Sequence, residues 1–211
     1  MDFHRQPTGW IEVICGCMFS GKTEELLRRV RRAVIGKQEV LLFKPKMDVR
    51  YHQSKILSHL KNGLEAVPIE SSKQVLNFYQ KVQNKNAPNS WQNQLVIAFD
   101  EAQFFDHDLP MVVGELANLG NRIIIAGLDK DFLGRPFGIM PELMAMAEYV
   151  SKIHAICVSC GNPANFSGRR SNEQSTIALG AEESYQPYCR QCYADFMHSQ
   201  EKPNNPQSFL N

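Results

Sequence analysis

The amino-acid sequence predicts an α/β fold: a mostly parallel sheet flanked by helices, with a small metal-binding module at its C-terminal end. Three observations carry that expectation. Short apolar runs alternate with longer mixed segments. A Gly-x-x-x-x-Gly-Lys-Thr stretch sits where the first apolar run meets the first helical pattern. Four of the six cysteines fall in two Cys-x-x-Cys pairs late in the chain.

Residues 10–15, Trp-Ile-Glu-Val-Ile-Cys, read as a strand, and residues 22–34 as a helix with Leu26, Leu27 and Val30 on one face. Residues 40–43 form a second buried strand, ended by Lys44 and Pro45. Residues 66–69 read as an edge strand, because Pro68 has no N–H to give to a ladder. A helix is expected over 72–82. Residues 95–99 and 123–126 are apolar on successive positions, as in strands covered on both faces. Residues 109–119 supply the crossover helix between them, and 141–150 a last helix. Beyond that the texture turns to Cys pairs, Gly, Ser, Asn and Arg, which sets a boundary near Ser151. The expected division is therefore 1–150 for the sheet domain, 151–199 for the metal module and 200–211 for a polar, frayed tail.

With 43% hydrophobic and 21% charged residues, the 211-residue chain has the composition of a soluble globular protein. Lys and Arg number 23 against 22 Asp and Glu, a net charge of +1, so the basic excess of a nucleic-acid binder is missing from the totals. No apolar run approaches the roughly eighteen residues of a membrane span. The polar N-terminus lacks the apolar core of a secretion signal, so the expected address is cytoplasmic. In that compartment paired cysteines point to metal rather than to disulfides.

Residues 16–23, Gly-Cys-Met-Phe-Ser-Gly-Lys-Thr, follow a strand and open a helix, the setting a P-loop needs. Gly16 and Gly21 allow the tight path on which backbone N–H groups converge on phosphate oxygens, and the helix dipole favours the same anion. Lys22 would reach the β- and γ-phosphates and Thr23 would bind Mg²⁺. A chance Gly-rich turn is the bland alternative, and the strand–helix context argues against it.

The strand at 95–99 runs into Asp100 and Glu101. Behind a P-loop, an acid at the end of a buried strand is placed to hold Mg²⁺ or its water, which gives Asp100 that role. Glu101 points elsewhere and could take a proton from an attacking hydroxyl. Acids decorating a helix start are the ordinary alternative.

Cys157, Cys160, Cys189 and Cys192 supply two close thiolate pairs, the donor set of one tetrahedral Zn²⁺. Four thiolates leave no open position, so such a metal is structural. The connection over 161–188 is longer than a compact ribbon needs, and a loop tethered at both ends is suited to closing over a ligand. Redox-active or simply buried cysteines are the alternative. Cys15 and Cys17 read as ordinary core and loop residues. Arg28, Arg29, Arg31 and Arg32 read as the solvated face of the first helix, and Met140, Met144 and Met146 as core or subunit-contact residues. None of the six His has a partner that makes it a ligand candidate.

In this order the three pieces resemble the type II (cytosolic-type) thymidine kinase family over about residues 9–193. Residues 16–23 are similar to its P-loop, with Cys17 where Pro is frequent. Residues 100–105, Asp-Glu-Ala-Gln-Phe-Phe, resemble its acidic segment, in which the Glu is the general base. Residues 127–138 resemble its substrate-pocket segment, and 180–185 its nucleoside-closing lasso. The resemblance implies a RecA-like P-loop sheet, ATP, Mg²⁺ and structural Zn²⁺. It also implies transfer of the γ-phosphate of ATP to the 5′-hydroxyl of thymidine, with deoxyuridine as a further acceptor, for nucleotide salvage in DNA synthesis.

The catalytic group it implies is Glu101, Lys22 and Arg50. ATP contacts would come from Gly16, Cys17, Met18, Phe19, Ser20, Gly21, Lys22, Thr23, Asp48, Arg50, Asp100 and Gln103. Met18, Phe104, Leu128, Phe132 and Phe137 would line the nucleoside pocket. Backbone groups of Thr176, Ile177, Ala178, Leu179 and Gly180 would read the pyrimidine edge, with Tyr185 packing or hydrogen-bonding against the nucleoside. A homotetramer and feedback by thymidine triphosphate are implied by kinship alone. The competing class is a P-loop ATPase that engages nucleic acid through a zinc ribbon, which near-zero net charge and a single small core disfavour. A non-catalytic nucleotide binder, in which Glu101 is dispensable, is the third reading.

Overall fold

In the computed structural model the described residues are 9–46, 66–84, 94–170 and 185–201. Asp48, Arg50, residues 176–180 and the tail from residue 202 lie outside them.

Apolar side chains on both faces are what make the central strands interior. Strands β1 (Trp10–Gly16), β2 (Val40–Pro45), β3 (Val67–Ile69), β4 (Val96–Phe99), β5 (Arg122–Leu128) and β6 (Tyr149–Lys152) form one sheet. Its order is β3-β2-β4-β5-β1-β6, with every pairing parallel. Because side chains alternate along a strand, successive residues enter different cores. Val13, Ile123 and Ile125 face one cluster, while Ile14, Ile124 and Ala126 face the other. The edge position expected for residues 66–69 is observed, with Pro68 in β3 at the end of the sheet.

Helix α1 (Lys22–Ile35) covers one face through Leu26, Leu27, Val30 and Ala33, the spacing of an amphipathic stripe. Glu24 and Glu25 stand in its first turn and Arg32 in its last, each matched to the local pole of the helix dipole. Helices α2 (Gln74–Gln83), α3 (Leu109–Asn118) and α4 (Met140–Met146) cover the other face, anchored by Val75, Leu109, Val112, Val113, Leu116, Met140 and Leu143. Leu26 is fully buried, so Leu26→Ala would cost about 2–5 kcal/mol.

Two expectations are corrected. The helix foreseen to residue 150 stops at Met146, where Ala147 turns extended. Tyr149–Lys152 instead extends the sheet beside β1, with Glu12 opposite Tyr149 and Val13 opposite Val150. The Glu148 carboxylate accepts the Ile11 N–H at 2.7 Å. Tyr149 and Val150 are exposed, so no alternating pattern betrayed the strand; the free edge of β1 decides it. The sheet therefore reaches Lys152.

Arg29, read as solvated, is instead largely buried. It bonds Glu12 at 2.8 Å, Glu25 at 2.8 Å and Ser151 at 2.9 Å. Glu12 also takes Trp10 Nε1 and Arg122 Nε. Burial raises its pKa, but Arg122, Trp10 and Arg29 together hold it below the ordinary value.

After Lys152 two antiparallel ribbons follow, β7 (Ala155–Ile156) with β8 (Pro163–Ala164) and β9 (Phe166–Arg169) with β10 (Tyr185–Tyr188). Helix α5 (Arg190–Glu201) closes the module and covers residues 200 and 201 of the expected tail. Its core is small: Ala155, Cys157, Ala164, Phe166, Tyr188 and Tyr193, with Cys17 of the P-loop among them. Phe166 stacks on Tyr193 at 4.6 Å and Tyr188 on Phe196 at 5.0 Å.

Candidate active site

The P-loop, the acid pair and the pocket segment all leave the C-terminal ends of parallel strands, where open α/β sheets bind ligands. One strand, β5, separates the P-loop strand from the acid strand. The P-loop starts at Gly16 with φ 153°, and a Cβ there would stand 2.2 Å from the Ile153 carbonyl oxygen, so the close approach admits only glycine. Phe19 and Gly21 take positive φ and lead into α1, whose first N–H groups have no helical acceptors. Lys22 Nζ and Ser20 Oγ both donate to the Cys17 carbonyl oxygen at 2.8 Å. Burial lowers the Lys22 pKa, while Glu101, Cys17 and Asp100 oppose that fall.

Thr23 and Asp100 are brought together: Thr23 Oγ1 donates to Asp100 Oδ2 at 3.1 Å. This pair of hard oxygen donors is suited to Mg²⁺. Burial pushes the Asp100 carboxyl up to about 7, with the adjacent Glu101 charge adding to the rise. Glu101 N–H, Thr23 and Lys22 pull the other way. The native state thus binds a proton that the unfolded chain, near 3.8, releases, and metal-free stability falls as pH rises between 3.8 and about 7. Asp100→Asn should raise the metal-free melting temperature at pH 8 by on the order of 5 °C while abolishing Mg²⁺-dependent activity. Equal melting of the two proteins at pH 8 would contradict this account.

Glu101 is held in the left-handed region at φ 53°, a conformation that costs a non-glycine residue about 1–3 kcal/mol. Its charge still reaches the phosphate cradle, raising the Asp100 carboxyl and opposing the fall of Lys22. Gln103 Nε2 donates to Glu101 Oε2 at 2.5 Å, and Gln103 Oε1 accepts the Leu128 N–H at 2.8 Å. Gln103, expected among the ATP contacts, thus spends its amide tying the carboxylate to the end of β5. Gly138, with φ 52°, lets the pocket segment pass the Gln103 backbone, where a Cβ would lie 2.6 Å from the carbonyl oxygen.

Phe104 and Phe137 meet edge to face at 5.5 Å. Met18, Leu128, Phe132 and Tyr185 are, like them, half-buried. Three contacts here carried no sequence signal. Ser167 Oγ accepts the Met18 N–H at 3.0 Å, and the Cys17 thiol donates to Ala164 O at 3.3 Å, so the P-loop rests on the C-terminal module. Tyr193 Oη donates to the Phe132 carbonyl at 2.6 Å. Cys17, read as a loop residue, is therefore a buried link between the two parts. Asp129 is a further hub, bonded to Lys152 at 2.6 Å and Lys130 at 3.3 Å, with its carbonyl taking the Phe137 N–H. Burial raises its carboxyl, but the two lysines hold it below the usual range.

The sulfurs of Cys157, Cys160, Cys189 and Cys192 all lie within 4.8 Å of one another. Cys160 and Cys189 stand 3.6 Å apart, against about 3.8 Å for the edge of a tetrahedron with 2.3 Å Zn–S bonds. Burial opposes ionisation of Cys157, yet N–H groups of Cys189, Ser159 and Cys160 bring it down to about 6. Hydrogen bonding with Cys160 and Cys189 pushes Cys192 up to about 12. Sulfurs this close cannot all ionise without a cation among them, and the donor set fits Zn²⁺.

A P-loop whose threonine meets a strand-end aspartate, with a second, separately oriented carboxylate beside it, defines a nucleotide-dependent phosphoryl-transfer enzyme. The thymidine kinase family model matches residues 9–193. A thymidine kinase of Rhodothermus sp. (strain ITI 518) is 49% identical over 90% of this chain and 84% of its own length. Thymidine kinases of Bacteroides fragilis (strain YCH46) and Bacteroides thetaiotaomicron are each 49% identical over 90% of this chain and 91% of their own. The chain belongs to the thymidine kinase family.

Proposed function

We propose that this kinase transfers the γ-phosphate of ATP to the 5′-hydroxyl of thymidine, giving thymidine monophosphate and ADP. The observation that supports the reading is that the two adjacent acids have different partners. Asp100 faces Thr23 and the phosphate cradle, while Gln103 turns Glu101 toward the pocket segment.

The P-loop N–H groups hold the phosphates, and Lys22 exchanges the Cys17 carbonyl for β- and γ-phosphate oxygens. Thr23 and Asp100 would hold Mg²⁺, which supplies charge neutralisation across those oxygens. The thymidine 5′-oxygen bonds to the γ-phosphorus as the bridge to ADP breaks, and Glu101 accepts the hydroxyl proton. Met18, Phe104, Leu128, Phe132 and Phe137 enclose the nucleoside, with Phe132 flat against the base. Family kinship further implies that Arg50 would act beside the equatorial oxygens, that Asp48 would join the phosphate side, and that residues 176–180 with Tyr185 would serve the base.

Among the described residues no helix is long and apolar enough to cross a membrane. The proposal places the enzyme in the cytoplasm, acting on a small molecule. An open groove of about 530 Å³ between α3 and α4, lined in part by Met111, Leu119 and Met146, supports self-association into the tetramer that kinship implies.

The test is a panel of the four deoxynucleosides and deoxyuridine with ATP and Mg²⁺, scored for monophosphate. Thymidine should react best, with deoxyuridine next and one ADP formed per monophosphate. ADP release stimulated by nucleic acid without monophosphate would overturn the reading.

A further inference from the structure

Phe132, the ring set against the base, is held from behind by residues of the zinc module. The Arg169 guanidinium lies over its face, 4.9 Å from the ring centroid. Arg169 is only 5% exposed, and it sits on β9 directly opposite Tyr185 of β10. The Tyr193 hydroxyl bonds the Phe132 carbonyl at 2.6 Å, and the Tyr193 ring is itself clamped on Phe166. A flat ring has two faces; a cation on one fixes its tilt and leaves the other for a flat ligand.

We infer that Arg169, with Tyr193, is a positioning residue for nucleoside recognition, orienting Phe132 rather than touching substrate. This rests on Phe132 being the base-stacking ring. The quadrupole of an aromatic face attracts a guanidinium without consuming the ring's outer side. The arrangement lets the zinc module set nucleoside affinity from its folded core, beside whatever the closing loop contributes.

The experiment is a cycle of Arg169→Met, Phe132→Leu and the double variant in the zinc-loaded protein. Thymidine KM, ATP KM, kcat and bound zinc are read for each. Phe132→Leu should raise thymidine KM, and Arg169→Met should raise it about ten-fold with ATP KM and zinc unchanged. In the Phe132→Leu background Arg169→Met should add nothing, because its route to the substrate is gone. Tyr193→Phe, which keeps the stack on Phe166 and removes one hydroxyl, should raise thymidine KM about three-fold in the same pattern. Arg169→Lys should recover part of the loss, since it restores charge without the planar group.

Full-sized, additive effects in the double variant would overturn the inference, as would an unchanged thymidine KM in Arg169→Met or a parallel rise in ATP KM with lost zinc. If Arg169→Met does not fold, the Tyr193→Phe cycle decides by the same criterion. If Phe132→Leu itself leaves thymidine KM unchanged, the base-stacking reading of Phe132 falls first, and the role of Arg169 with it.

Discussion

Glu101→Gln will lower kcat for thymidine by about 10²–10⁴-fold while ATP affinity stays within a factor of about two. The amide keeps the size and the left-handed backbone of Glu101, and Gln103 can rotate its own amide to meet it. On the proposed mechanism, what is lost is the acceptor for the 5′-hydroxyl proton. On the proposed reading the triphosphate is held by residues 16–23 and by Asp100, whose strand β4 lies one strand beyond β5 from the P-loop strand, so binding should not follow catalysis down. Single-turnover phosphoryl transfer beside equilibrium ATP titration separates the two. Parallel loss of both would show that Glu101 serves the nucleotide and leave the proton without an acceptor. Gln103→Leu should share part of the defect, since it frees the carboxylate from the end of β5.

Removal of zinc, by chelation or by Cys189→Ser, will have the largest effect on thymidine binding. Structural zinc at four thiolates is worth about 10–16 kcal/mol of coupled folding, more than the small aromatic core of the module can replace. Unfolding there releases Tyr193 and Arg169 from Phe132, Ser167 from Met18 and Ala164 from Cys17. Thymidine KM should therefore rise by more than about a hundred-fold, whereas ATP affinity should fall only several-fold, because the cradle itself stands on β1 and α1. Metal analysis should find about one zinc per active chain. A zinc-free protein with undiminished kcat/KM for thymidine would break the argument.

Much of this site was legible in the chain itself. Gly16, Gly21, Lys22 and Thr23 are fixed by local geometry, since a phosphate cradle needs glycine where backbone crowds and a lysine at a set distance beyond. Asp100 and Glu101 were legible because an acid after a continuously apolar strand must emerge at the sheet's C-terminal edge. The cysteine pairs were legible because two thiols per turn leave few alternatives to a metal. Tyr149–Lys152 was not, since an exposed edge strand carries no alternation and depends on the free side of β1. Nor was Arg29, whose partners Glu12 and Ser151 lie on strands brought beside α1 only by the sheet.

The sequence by itself determined the interior strands, the glycine-rich junction between β1 and α1, the paired acids after β4 and the two cysteine pairs. Each is a short-range pattern whose physical demand is met within a few residues. Only the tertiary structure decided that the P-loop rests on the zinc module, that Gln103 steers Glu101, and that Arg169 and Tyr193 hold Phe132. Those are contacts between segments distant in the chain, set by which strand ends the sheet order places side by side. A hydroxyl, an amide or a guanidinium announces its chemistry in a sequence, but its partner exists only once the chain has folded.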